Sequence, residues 1–419
     1  MSKNNLNKFS RRLFIKSGLV GLSTPLLSKS FDLKLDKVEP PLSTSDKDWK
    51  SIRSHFIIDK NISYMNNASL GMPPLSVVQS INKGYQSISK EPLHGKHDLQ
   101  NHISEFVIPQ LANTFGVGSK EIVLTRNASE ALDIQAHSIN LKRGDEILIS
   151  SQEHPAGLRP WLVRQKNDGI KLKKVFIPSP LISVSDTLSR ISDAITSKTK
   201  AISFCHVTRG GHLYPVKEIV KMAKNRNLLT LIDGAQAAGQ FPINLKEIGC
   251  DAYSVSLHKW ILAPAGTGFL YINNEARERV TSPFVHENKP ELPGFNPPGT
   301  KDFPVRAAIG TALDYINAIG LLKIEKRCRS LSNYLKAGLS KIDSITILSS
   351  PNNHLSAPGS TIFEKKGLDA YESVPMMEKL ISTHIDEHVR DGHNAIRVST
   401  HIYNTKQQID QLLEALSKI

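Results

Sequence analysis

Between about residue 120 and residue 232 the chain alternates short apolar runs with amphipathic stretches, and this alternation restricts its architecture more than any other feature. Ile122-Val123-Leu124 precedes a helical stretch over 129–139, and Glu146-Ile147-Leu148-Ile149 precedes another over 158–166. The segments 172–177, 201–207 and 228–232 read as strands, with helices over 188–195 and 216–226 between them. Strands separated by helix-length segments pair in parallel, and the helices then cover the sheet faces. The expectation is an α/β chain with a mostly parallel sheet in a large domain over 61–305. A wide helical region over 305–342, followed by strands and helices, marks a smaller α+β C-terminal domain over 306–419. A chain of 419 residues is long enough for both cores.

The amino terminus reads differently. Residues 1–30 hold six cations and no acid, and so supply six of the formal +14 charges. The remaining excess forms no basic run interleaved with aromatics, so no nucleic-acid partner is expected. Ser10-Arg11-Arg12-Leu13-Phe14-Ile15-Lys16 leads into an uncharged, mostly apolar stretch over 17–27. A basic region before a short apolar one is an export signal, too short to span a bilayer. The paired arginines resemble the twin-arginine signal, which implies the twin-arginine export machinery as a partner and a periplasmic location for a protein exported folded. Residues 31–60 are expected to be a linker and N-terminal arm, loosened by Pro40-Pro41 and Ser43-Thr44-Ser45. No other stretch approaches 18 uninterrupted apolar residues, so no stable membrane span is expected. Cys205, Cys250 and Cys328 lack metal-ligand spacing and read as free, buried thiols.

Three motifs carry chemistry. Leu229-Thr230-Leu231-Ile232-Asp233-Gly234-Ala235-Gln236 sets an acid at the carboxyl end of a buried strand, where ligands of open α/β sheets bind. A buried acid needs a cation, and the protonated pyridine nitrogen of pyridoxal 5'-phosphate (PLP) supplies one. Further on, Ser254-Val255-Ser256-Leu257-His258-Lys259-Trp260 runs into a turn containing Gly266 and Gly268. A lysine so placed projects its amine into a desolvated site, where its pKa falls and Schiff-base chemistry opens. Third, Thr125-Arg126-Asn127-Ala128-Ser129-Glu130 joins a strand to a helix whose amino terminus suits a phosphate.

Asp-x-x-Gln followed by Ser-x-His-Lys at this spacing resembles the class V aminotransferase family of fold type I PLP-dependent transferases. Four further stretches match it. They are the opening motif Tyr64-Met65-Asn66-Asn67-Ala68, the pair Glu153-His154, Pro298-Gly299-Thr300, and the carboxyl-terminal Ile396-Arg397-Val398-Ser399 with Tyr403-Asn404-Thr405. The Thr-Arg-Asn-Ala-Ser-Glu-Ala-Leu and Tyr-Asn-Thr patterns look most like the isopenicillin N epimerase-like branch. The resemblance implies that Lys259 binds the cofactor covalently, Asp233 pairs with its ring nitrogen, Gln236 meets its ring oxygen and His154 stacks on the ring. It implies that Ala128, Ser129, Ser256 and His258 hold the phosphate with the partner subunit's Thr300, making the enzyme a homodimer. Asn67 and Arg397 would meet the substrate, Arg397 clamping its α-carboxylate. Cys205-His206-Val207-Thr208-Arg209-Gly210-Gly211 departs from the family's Thr-Gly form, so no role passes to Thr208 or Arg209.

The expected activity is PLP chemistry on a small-molecule amino substrate, at the Cα of an amino acid or related amine, as transamination or isopenicillin N epimerase-like epimerisation. The alternative is a C–S or β-elimination lyase, since elimination shares the Cα carbanion. Cysteine desulfurases of this fold need a nucleophilic cysteine on a loop ahead of the terminal arginine, and residues 351–396 contain none. His384-Ile385-Asp386-Glu387-His388 matches the H-x-x-E-H string of zinc hydrolases, a remote alternative. That motif requires a helix, whereas β-branched Ile381, Thr383, Ile385 and Val389 favour a strand, so no metal is expected.

Overall fold

The computed structural model describes residues 45–284 and 292–419. The expected signal and residues 31–44 of the expected linker and arm lie outside the described residues, whereas Asp46–Arg53 of the arm is a helix. The strands in chain order are β1 (Ser63–Tyr64), β2 (Ile122–Thr125), β3 (Glu146–Ser150), β4 (Lys171–Val175), β5 (Thr199–Cys205), β6 (Leu229–Asp233) and β7 (Ala252–Ser256). They continue as β8 (Gly268–Ile272), β9 (Ile345–Ile347), β10 (Ser360–Lys365), β11 (Thr383–His384), β12 (Asp386–Arg390) and β13 (His393–Ser399).

A seven-stranded sheet has the order β2-β8-β7-β6-β5-β3-β4. From β4 to β7 every pairing is parallel, as the alternation predicts, whereas β8 runs antiparallel to both β7 and β2. The central strands β5 to β8 are buried almost throughout, which explains their continuous apolar runs. Edge strand β4 carries Lys171, Lys173 and Lys174, charges that discourage further strand pairing. Between β3 and β4, helix Pro155–Asp168 is capped by His154, starts on Pro155 and stops at Gly169, whose φ of 72° suits glycine. Val123, Ile147, Ile149, Trp161, Leu229 and Leu270 belong to the core of this sheet.

A second sheet, β12-β13-β10-β9, is wholly antiparallel and packs Phe363, Ile396 and Val398 into a core with Leu331, Leu335, Ile409 and Leu412. The helical region expected over 305–342 is two helices, Phe303–Ile319 and Leu321–Leu339, bent by 75° at Gly320. Among the described residues no single helix is long and apolar enough to cross a membrane. The segment after β1 reaches the second sheet through parallel pairing of β1 with β11 and a bridge from Asn66 to Ser399. His384 and His388 fall on β11 and β12, so they do not share one face of a helix in the way the zinc motif requires.

Candidate active site

The carboxyl ends of β5, β6 and β7 open onto a cavity lined by Ser129, His154, Cys205, Asp233, Ser256 and Lys259 among others. Asp233 ends β6 and is only 6% exposed. Its Oδ1 accepts the Ala235 amide at 2.8 Å, and Oδ2 has no donor among the described residues. Burial raises the Asp233 pKa, against the pull of the Ala235 amide and the Lys259 charge. An acid in this setting is satisfied by a cation entering the cavity.

Lys259 lies in the turn after β7. The turn is held by main-chain bonds from Leu257 to Thr267 at 3.0 Å and from Gly71 to the His258 carbonyl at 2.8 Å. Gly71 is obligatory here, since a Cβ would stand 1.9 Å from the Lys259 carbonyl oxygen. Asn67 Nδ2 donates to that same oxygen at 3.4 Å. Burial lowers the Lys259 pKa to about 8, with Asp233 opposing and Arg397 and Arg209 assisting the shift. A substantial fraction of the amine is therefore neutral near neutral pH, as a nucleophile or base requires.

Helix Ala128–His137 brings its amino terminus to the cavity, where Ala128 and Ser129 line it. Asn127 caps it, and the Ala128 amide donates to Ser256 Oγ at 2.9 Å. The exposed Ser129 at the second helical position adds a hydroxyl to this anion-favouring end. A buried acid, a helix amino terminus with two serines and a lysine lining one cavity fit a phosphorylated nitrogen heterocycle with a reactive carbonyl. PLP has those three features, and when bound it supplies an electron sink for charge developing at Cα.

The remaining predicted residues are placed less uniformly. His154 lines the cavity, its Nδ1 accepting the Ala156 amide at 3.1 Å, and burial with nearby Lys259, Arg390, Arg209 and Arg397 lowers its pKa to about 4. Gln236 also lines it, with its amide held by the Ala68 carbonyl and the Trp260 indole, both at 2.9 Å. His258 does not line the cavity; its Nδ1 lies 3.2 Å from the Thr267 carbonyl oxygen. Thr300 lies in a wider neighbouring groove that shares Ser129, His154 and Ala156 with the cavity. Asn67 is fully buried between the Lys259 carbonyl and the Tyr403 hydroxyl, whereas its neighbour Asn66 accepts from Arg397 at 3.3 Å.

Arg397 is engaged within the protein. It is 2% exposed and in ion-pair contact with Asp386, its register partner on β12, and it donates to the Arg209 carbonyl at 3.3 Å. Arg209 lines the cavity and is itself paired to Glu387 at 2.7 Å and Asp386 at 3.2 Å. Arg390, which the motif reading missed, has no ion pair among the described residues and donates to the Glu153 carbonyl at 3.1 Å. A signal for its position exists. Asp391-Gly392, with φ of 55° and 84°, forms the two-residue turn that sets Arg390 opposite His393.

Fold and site together define a PLP-dependent enzyme. The sequence profile described as Aminotransferase class-V matches residues 63–412, and the chain belongs to that family. A probable cysteine desulfurase of Synechocystis is 29% identical over 84% of this chain and 90% of its own. One from Xylella fastidiosa is 26% identical over 91% and 97%. Among solved structures, the cystine C–S lyase C-DES with its product cysteine persulfide superposes with a TM-score of 0.80 at 22% identity, over 86% of this chain and 98% of that one. Another C-DES structure, with glycine covalently linked to the PLP cofactor, gives 0.80 over 88% and 99%.

Proposed function

We propose that this protein is a PLP-dependent C–S lyase that eliminates the β-sulfur substituent of a cysteine-like amino acid. The preference for sulfur substrates rests on the relatives, which are named as cysteine desulfurases. The choice of elimination rests on one observation of this chain: its three cysteines are all buried and unpaired. Cys205 alone lines the cavity, within a rigid strand, and burial beside Glu153 and Asp233 raises its thiol pKa well above the ordinary value. Such a thiol is a poor sulfur acceptor. The sulfur therefore leaves on a small molecule. The elimination alternative thus replaces transamination and epimerisation as the favoured reading, since the relatives are named as cysteine desulfurases and not as epimerases.

In this reading Lys259 would hold the cofactor covalently, and its amine, with pKa lowered by burial, would take the Cα proton. Asp233 balances the ring nitrogen, and the helix at Ala128 with Ser129 and Ser256 holds the phosphate. Arg390, which stands outside the cavity lining but bonds the Glu153 carbonyl next to His154, is assigned the substrate carboxylate, while Arg397 is a positioning residue locked to Asp386. For cystine the balanced reaction takes up one water and yields pyruvate, ammonia and cysteine persulfide, the C–S electron pair leaving with the sulfur. Purified protein incubated with L-cystine or L-cysteine should release pyruvate in step with ammonia and reduced sulfur. Release of alanine with protein-bound persulfide would establish desulfuration instead. A racemised amino acid, or a keto acid with nitrogen retained on the cofactor, would restore the epimerase or aminotransferase reading.

A further inference from the structure

Glu153 stands directly before His154, behind the cavity wall, and is 8% exposed. Its Oε1 accepts the Cys205 amide at 3.1 Å and is in close contact with the Ser150 hydroxyl. Tyr214 in turn donates to Ser150 Oγ at 3.2 Å, so a chain of hydroxyls ends on this carboxyl. Cys205 is the register partner of Asp233 across β5 and β6, and Glu153 follows β3 on the other side of β5, so the end of β5 stands between the two buried acids. No cation bonds the Glu153 carboxyl among the described residues, and Arg390 reaches only its main-chain oxygen. The groups packed around it are Ser150 from β3, Cys205 and Tyr214 from β5 and the segment beyond it, Asp233 from β6 and Arg390 from β12. Two carboxylates sharing a desolvated site do not both ionise without a large penalty.

We propose that Glu153 is a positioning residue that holds a proton, so that Asp233 alone carries the negative charge facing the cofactor's ring nitrogen. This rests on the reading of Asp233 as the ring-nitrogen partner. Burial, with a further push from Asp233, raises the Glu153 pKa to about 8. Below that pH the side chain is neutral and leaves the charge to Asp233; above it, Glu153 becomes a second anion at the same site. Glu153 does not line the cavity. It acts through Asp233 and through the end of β5 between them.

The test uses the cofactor-loaded protein. With carboxyl-labelled glutamate, infrared spectra should show a protonated carboxyl band near pH 6 that fades as the pH rises through about 8. Glu153→Gln should abolish the band. The visible absorbance of bound cofactor should follow the same ionisation in the wild type. In Glu153→Gln the absorbance midpoint should move by about half a pH unit or more, the order of one charge's influence across several ångströms of protein interior. Superimposable curves for wild type and variant would overturn the proposal. Should Glu153→Gln fail to fold, absence of the labelled band from the wild type near pH 6 would overturn it alone. Asp233→Asn with unchanged cofactor spectrum and retention would overturn the assignment of Asp233 while the glutamate band persists, which separates the two failures.

Discussion

Replacing Arg390 with lysine separates substrate binding from scaffolding. Arg390 ends β12, has no ion pair among the described residues, and makes one hydrogen bond, to the Glu153 carbonyl at 3.1 Å. Its loss should cost stability only about 1 kcal/mol, the worth of one ordinary hydrogen bond. Toward substrate the loss is larger, because lysine keeps the charge but lacks the fork that grips a carboxylate at two points. Loss of a charge-assisted bond costs about 1.5–3 kcal/mol, or roughly ten- to a hundredfold in affinity. Titrating the cofactor absorbance with L-cysteine should show that weakening, with melting temperature and substrate-free spectrum nearly unchanged. Arg397→Lys is the control. It strips contacts to Asp386, Asn66 and the Arg209 carbonyl from a buried guanidinium, so it should lower thermal stability first. If Arg390→Lys bound substrate normally while Arg397→Lys weakened binding without loss of stability, the clamp would be Arg397.

Three further outcomes follow from the same structure and sequence. Gly71→Ala should displace the Lys259 turn, since the new Cβ would lie 1.9 Å from the Lys259 carbonyl, and cofactor retention measured after dialysis should fall; full retention would show that the turn yields easily. We propose that the enzyme is a homodimer whose partner subunit supplies Thr300, so light scattering should give twice the chain mass and Thr300→Ala should weaken cofactor retention, whereas an active monomer would refute it. We also propose twin-arginine export: replacing Arg11 and Arg12 with lysine should leave folded, yellow protein in the cytoplasm, and an unchanged periplasmic yield would refute it.

The parallel part of the large sheet was legible because its strands, lysine-rich β4 apart, are local apolar runs between helix-length segments. Asp233 and Lys259 were legible because each sits at a punctuated strand end. Pairings formed far apart in sequence were not. The pairing of β8 between β7 and β2 leaves no local mark in the motifs. The partnership of Arg397 with Asp386 is set by register across β12 and β13, so a motif that names the arginine cannot show that its guanidinium is already occupied. Asn67 was singled out for its place in a motif, yet a one-residue step turns Asn66 toward Arg397 and buries Asn67 behind Lys259. The Asp391-Gly392 turn was readable and would have located Arg390. The choice among elimination, epimerisation and transamination depends on groups around Cα and Cβ of the substrate, which short cofactor-binding motifs do not encode.

The assignment of the cavity is tested most directly by reducing the PLP-loaded enzyme with borohydride and mapping the labelled peptide. The lysine in this cavity faces Asp233 and has its pKa lowered to about 8. The cofactor should therefore become fixed to Lys259, and Lys259→Ala should leave the protein folded with no covalent label. A label on a different lysine, or full labelling of Lys259→Ala, would contradict the account.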